Sequence, residues 1–174
     1  MKCQLGDLIT INPKIQLKKG TIAKKIAMDD LIPFTRDIYS FSYSKFNGGT
    51  KFQNGDTLLA RITPCLENGK TAFVNILKPN EKAFGSTEYF VLRAKESVID
   101  PYYLYYLSIT PTFREVAIKS MTGTSGRQRA QREAIESFTF NCPPLEQQKS
   151  IAYKLKILDD KIALNKQINA NLVE

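Results

Sequence analysis

Residues Met121 to Arg129, MTGTSGRQR, hold two glycines, three hydroxyl side chains and two arginines, and no acid. That composition suits an anion. Glycines let backbone N–H groups approach phosphate oxygens, hydroxyls donate to them, and guanidinium groups add two-pronged contacts. A nucleotide phosphate, a nucleic-acid backbone and no ligand at all are the three readings. A P-loop needs Gly-x-x-x-x-Gly-Lys-Ser/Thr between a strand and a helix, whereas Gly123 and Gly126 are only three apart and Arg127 follows them. The nucleotide reading fails on spacing. From Lys119 to Arg132 the segment carries Lys119, Arg127, Arg129 and Arg132 with no Asp or Glu, a local +4. With Thr122, Gly123, Thr124, Ser125 and Gly126, these residues form a candidate clamp for a nucleic-acid backbone. The alternative is a solvated loop whose arginines pair with acids from elsewhere in the chain.

Catalytic groups are harder to assemble. The chain has no histidine, which excludes the usual zinc pairings and every triad with an imidazole base. Asp56, Glu67 and Lys70 resemble the carboxylates and lysine of a metal-dependent nuclease. Glu67-Asn68-Gly69-Lys70 nevertheless reads as a hairpin turn, and residues three apart on a strand face opposite ways. Cys65 lacks a base to activate it, and three widely spaced cysteines suit reduced thiols rather than a disulfide framework. Tyr102, Tyr103, Tyr105 and Tyr106 could stack on bases, but a helix aromatic on several faces more often anchors a core. No catalytic residue and no metal ligand is assigned. The net charge of +8 favours a polyanionic partner. No apolar run approaches the roughly 18 residues that span a bilayer, so a cytoplasmic protein is expected.

The elements that would position these residues fall into two regions. Residues 1–143 read as an α+β domain, a small mixed and largely antiparallel sheet with helices. Strands are expected at Thr57 to Ile62, Thr71 to Ile76 and Tyr89 to Arg93, with turns at Asn54-Gly55-Asp56 and Asn68-Gly69. Asp100-Pro101 reads as a helix start, Pro111 as another, and the MTGTSGRQR loop follows that second helix. Residues 144–174 contain no Gly and read as one long helix opened by Pro144. Along it Ile151, Leu155, Leu158, Ile162, Asn165, Asn169 and Leu172 advance by alternating fours and threes, the spacing of a coiled-coil seam. Ile157, Leu164 and Ile168 widen the apolar surface and keep open packing on the chain's own domain. Two asparagines in the seam favour pairing with another helix, because asparagine in such a layer fixes register at a cost in stability.

Five segments read together, TPCLENGKTAFV (63 to 74), GSTEYFVLR (85 to 93), MTGTSGRQR (121 to 129), PPLEQQKSIA (143 to 152) and LDDKIALNKQIN (158 to 169), resemble the specificity subunits of type I restriction-modification enzymes. They follow the family's order across nearly the whole chain. The resemblance implies a non-catalytic target-recognition domain followed by a helix that packs against its counterpart from a second half. Two such halves make one subunit, each reading one part of a split DNA site. Methyltransferase and restriction subunits then perform the chemistry, and S-adenosylmethionine, ATP and Mg²⁺ belong on those partners. This chain covers one half, so either a second copy or a second half is expected to complete it. A helix-mediated scaffold without DNA binding is the rival function. Because family members share MTGTSGRQR while reading different DNA, the resemblance gives that loop a common role such as backbone binding or scaffolding.

Overall fold

A computed structural model describes residues 2–172; Met1 and the last two positions of the expected helix, Val173 and Glu174, lie outside the described residues. In chain order the elements are β1 (Lys2–Gln4), α1 (Leu5–Leu8), β2 (Ile9–Ile11), β3 (Ile22–Ile26), β4 (Ser42–Lys45), β5 (Thr50–Phe52), β6 (Thr57–Ala60) and β7 (Thr71–Phe73). They continue with β8 (Ala83–Gly85), β9 (Tyr89–Ala94), α2 (Pro101–Ser108), α3 (Pro111–Lys119), α4 (Arg132–Glu136), β10 (Thr139–Asn141) and α5 (Leu145–Leu172). The α+β class is as the sequence implies. The mixed, largely antiparallel pairing is divided among three sheets: β2-β9-β6-β7, β4-β3-β8-β5 and the two-stranded β1-β10. One pair, β3 with β8, is parallel.

The central strands explain the layering. Strand side chains alternate between faces, so β6 and β9 each supply two cores. Leu59, Phe90 and Leu92 face one cluster with Leu5, Leu104, Phe113 and Ile135 from the helices. Leu58 and Val91 face the other, with Ile26, Phe52 and Val74. Helices, first sheet and second sheet therefore stack as layers, and each fully buried Leu or Phe contributes roughly 2 kcal/mol by transfer from water. The expected strands from Thr57 and Thr71 are shorter than their β-favouring residues suggest, ending at Ala60 and Phe73. Beyond Ala60 the chain leaves β7 and turns, with Leu66 N–H donating to Ile62 O at 3.1 Å. Gly69 at that turn has φ +77° and Gly55 at the preceding one +89°, both conformations that favour glycine.

Helix starts follow local chemistry. Asp100 accepts from Tyr103 N–H at 2.9 Å ahead of Pro101, and Thr110 caps α3 ahead of Pro111. Such caps are worth about 1 kcal/mol each. Pro144 stands one residue before the helix rather than inside it, its carbonyl accepting from Gln148 N–H at 3.0 Å.

Helix α5 packs on the domain along one face. Ala152 is buried among Phe73, Tyr105 and Tyr106, with Leu155 half-buried beside them. Tyr102 stacks on Phe73 with ring centroids 4.1 Å apart. The tyrosine-rich helix is thus mainly the anchor for α5. Polar clamps extend the contact: Tyr106 donates to Asp159 Oδ2 at 2.8 Å, and Arg36, only 5% exposed, donates to Asp160 Oδ1 at 2.7 Å and Lys156 O at 3.3 Å. Lys156, followed by Arg36, holds the Asp160 carboxyl below its ordinary pKa.

Candidate nucleic-acid interface

The MTGTSGRQR loop leaves α3 and folds back on itself. Thr122 and Arg129 exchange backbone hydrogen bonds at 3.1 and 2.9 Å, and Arg127 N–H donates to Thr124 O at 3.0 Å to close the tip. Gly123 and Gly126, at φ +130° and +75°, permit that reversal. Its base is fastened to the chain after β6: Thr63 N–H donates to Gln128 O at 2.9 Å and Ala130 N–H to Arg61 O at 2.8 Å. Gln131 ties the two sides together, donating to Thr122 Oγ1 at 2.7 Å and Arg129 O at 2.9 Å. Thr122, Gly123, Thr124, Ser125, Gly126 and Arg127 are exposed at the tip.

The cations of this region have different fates. Arg129 grips Glu88 with two prongs, Nη2 to Oε1 at 2.7 Å and Nε to Oε2 at 2.9 Å. This guanidinium holds Glu88 below the usual carboxylate range. Lys119 pairs with Glu115 at 2.5 Å and Arg132 with Glu136 at 2.8 Å, each one helical turn away. Exposed pairs of this kind are worth about 0–1 kcal/mol and exchange readily for another anion. Arg127 has no ion pair among the described residues. The acid-free window in the sequence is therefore not acid-free in space. Arg61 adds a cation that the sequence window omits; it lies 4.7 Å above the Phe90 ring, beside Glu88.

A second basic region lies on the sheet β4-β3-β8-β5. Lys14, Lys18, Lys19, Lys25 and Lys45 are exposed and Lys51 is half-buried, and none of the six forms an ion pair among the described residues. The sequence signal was present but split: residues 8–28 and 38–55 contain no acid. The pairing of β3 with β4 brings them together. Alternation separates neighbours on β3, so Lys24 turns inward to Glu81 at 3.3 Å and Ile76 O at 3.0 Å while Lys25 turns out.

The nuclease-like residues do not converge. Asp56 is buried and accepts from Arg93 Nε and Nη2, both at 2.7 Å; Lys70 donates to Met28 O at 2.9 Å and Asp29 at 3.3 Å; Glu67 is exposed. No group of three or more Cys, Asp or Glu side chains among the described residues is gathered to hold a metal.

The seam residues lie mostly outside the domain contact. Ile151, Leu158, Ile162, Asn165, Asn169 and Leu172 are exposed, with Leu158 at 57% and Ile162 at 52%, while Leu155 is shared with the domain. Ile157, Leu164 and Ile168 form a further exposed row. Packing on the own domain and an uncovered apolar seam thus occupy different faces of one helix.

The class the architecture defines is a layered α+β domain with basic surfaces, backed by a helix whose apolar seam is exposed. The chain belongs to the type I restriction modification DNA specificity domain family, whose model matches residues 1–174. It is 34% identical over 152 residues to the type I restriction enzyme EcoAI specificity subunit of Escherichia coli, covering 84% of this chain and 26% of that protein. With the EcoEI specificity subunit of Escherichia coli it shares 30% over 166 residues, 91% of this chain and 28% of that one. The chain spans about a quarter of the length of these relatives. The fold is shared with the HsdS subunit from Thermoanaerobacter tengcongensis (TM-score 0.76, 17% identity, 98% of this chain and 45% of that chain). It is shared also with the type I restriction-modification S subunit from M. genitalium (TM-score 0.58, 17% identity, 99% and 43%). No helix among the described residues is long and apolar enough to cross a membrane.

Proposed function

We propose that this chain is one recognition half of a type I restriction-modification specificity subunit, binding double-stranded DNA at one part of a bipartite site. It performs no chemistry itself. It directs a methyltransferase subunit and, through the assembled complex, a restriction subunit, and S-adenosylmethionine, ATP and Mg²⁺ act on those partners. The exposed tip of the MTGTSGRQR loop contributes backbone contacts, chiefly through Arg127.

The observation that carries this reading is the helix: α5 is anchored on its own domain through Ala152, Asp159 and Asp160 and still presents an apolar seam outward. A second copy or a second half covers that seam in antiparallel fashion, with Asn165 and Asn169 setting register. Two identical domains related by a two-fold axis face the DNA in opposite orientations and select inverted half-sites with a fixed spacer. Deleting the helix would expose the Phe73–Tyr105–Tyr106 cluster, so the decisive variant is Leu158→Glu with Ile162→Glu at exposed positions. Light scattering should find a dimer for the wild type and a monomer for the variant with an unchanged melting temperature. Equal masses for both proteins would remove the seam from the assembly.

A further inference from the structure

The β3–β4 pair stands beside the second basic region. Strand β4 is the edge of its sheet and pairs only with β3, in the register Ile22↔Lys45, Ala23↔Ser44, Lys24↔Tyr43 and Lys25↔Ser42. One face is open, with Ile22 66% and Tyr43 62% exposed beside Lys45; on the other, Ala23 is buried with Phe46 and Phe84 while Lys25 and Ser42 are exposed. A cleft of about 530 Å³ runs along it, lined by Lys25, Ser44, Lys45, Asn47, Gly48 and Ser86.

The residues that line the cleft include lysines and no acid. Gly20 N–H donates to Phe46 O at 2.8 Å, which sets the Lys18-Lys19 turn beside the end of β4. Lys51 lies 5.6 Å over the Phe46 ring, and Lys14 shares a surface pocket with Gly49 and Lys51. The Gly48-Gly49 turn, at φ +149° and +108°, is built for close approach; a Cβ on Gly49 would collide with the carbonyl oxygen of Gly85. The glycine-containing loop is tied to the same strand connection: Gly85 and Ser86 line the cleft, and Glu88, two residues further on in a turn, holds Arg129.

Resting on the reading of the chain as a DNA-binding half, we infer that the β3–β4 ribbon enters the major groove and reads base edges. Where Ile22 and Ala23 pair with Lys45 and Ser44, short of the pairing with β8, the ribbon is two-stranded and fits a groove about 12 Å wide. Lys25, Ser44, Lys45 and Asn47 are the readers, since lysine donates to guanine O6 and N7, asparagine pairs with adenine N6 and N7, and serine serves either. Lys14, Lys18, Lys19 and Lys51 flank the ribbon and contact phosphates, which position the protein without choosing a sequence.

Selection of the purified chain on random duplexes at low salt, followed by sequencing, tests this. The wild type should yield a preferred motif. Ser44→Ala and Lys45→Ala should each relax preference at one or two positions of it by roughly tenfold, the usual worth of a base contact, with unchanged melting by circular dichroism. Lys19→Ala should weaken all duplexes alike and reduce the salt slope by about 0.9. Ser44→Ala, the smallest change, keeps the test open if a lysine variant folds poorly. A wild-type motif that every ribbon variant keeps would overturn the base-reading assignment while leaving DNA recognition in place. Uniform affinity loss with an unchanged motif would overturn it too and make the ribbon a phosphate contact. No duplex binding by the wild type would overturn the DNA-binding reading itself, and this assignment with it.

Discussion

The glycine-containing loop and the β3–β4 ribbon are both basic, yet their charges are used differently. Around the loop, Arg129 is committed to Glu88, Lys119 to Glu115 and Arg132 to Glu136, leaving Arg127 without an ion pair. Around the ribbon, six lysines stand without one. Local charge density in a sequence window is therefore a poor measure of surface potential. A two-pronged, half-buried pair such as Arg129–Glu88 orders the loop and withdraws a cation from solvent, while scattered lysines on paired strands keep theirs.

The largest effect that would sharpen the contrast comes from removing the flanking charges. Changing Lys14, Lys18, Lys19 and Lys51 together to alanine should lower duplex affinity about a hundredfold or more near 0.1 M salt and reduce the salt slope by roughly 3 to 4. Fluorescence anisotropy across a salt series reads both numbers, and an unchanged slope would break the contrast. Next in size, Arg127→Ala should reduce the slope by about 0.9, weaken all duplexes severalfold and leave the melting temperature where it was. If this single change matched the four-lysine variant, the loop would be the main electrostatic contact. The smallest effect concerns scaffolding. Arg129 depresses the Glu88 carboxyl, so the pair contributes its full stability above the ordinary carboxylate range and loses it as pH falls through the lowered value. Glu88→Gln should therefore melt a few degrees lower than wild type at neutral pH, with the gap closing as pH falls through and below the ordinary carboxylate range. A gap that widened on acidification would show that Glu88 stabilises through something other than Arg129.

Local rules carried the sequence a long way here. Asp100-Pro101, Thr110-Pro111 and the Pro143-Pro144 boundary mark helix starts because capping depends on neighbours in the chain. The hairpin glycines at 55 and 69 and the strands at 57, 71 and 89 follow from turn chemistry and β-favouring residues. Short elements escaped it: β3, β4 and β8 are made largely of Lys, Ser, Ala and Gly, β5 has only three residues, and only pairing with one another makes them strands. The seam of α5 was likewise legible as a period, but its contact with the domain rests on Tyr106, Arg36 and Phe73, distant positions with no periodic trace.

The sequence by itself determined the α+β class, the long terminal helix with its two apolar rows, and the absence of histidine chemistry, since all three depend on composition or near neighbours. Only the tertiary structure decided which charges remain available. Glu88 is 41 residues from Arg129 in the chain and 2.7 Å from it in space, while Lys25 and Lys45, twenty residues apart, meet on one cleft. Charges act over distances in space, and folding the chain into paired strands is what sets those distances.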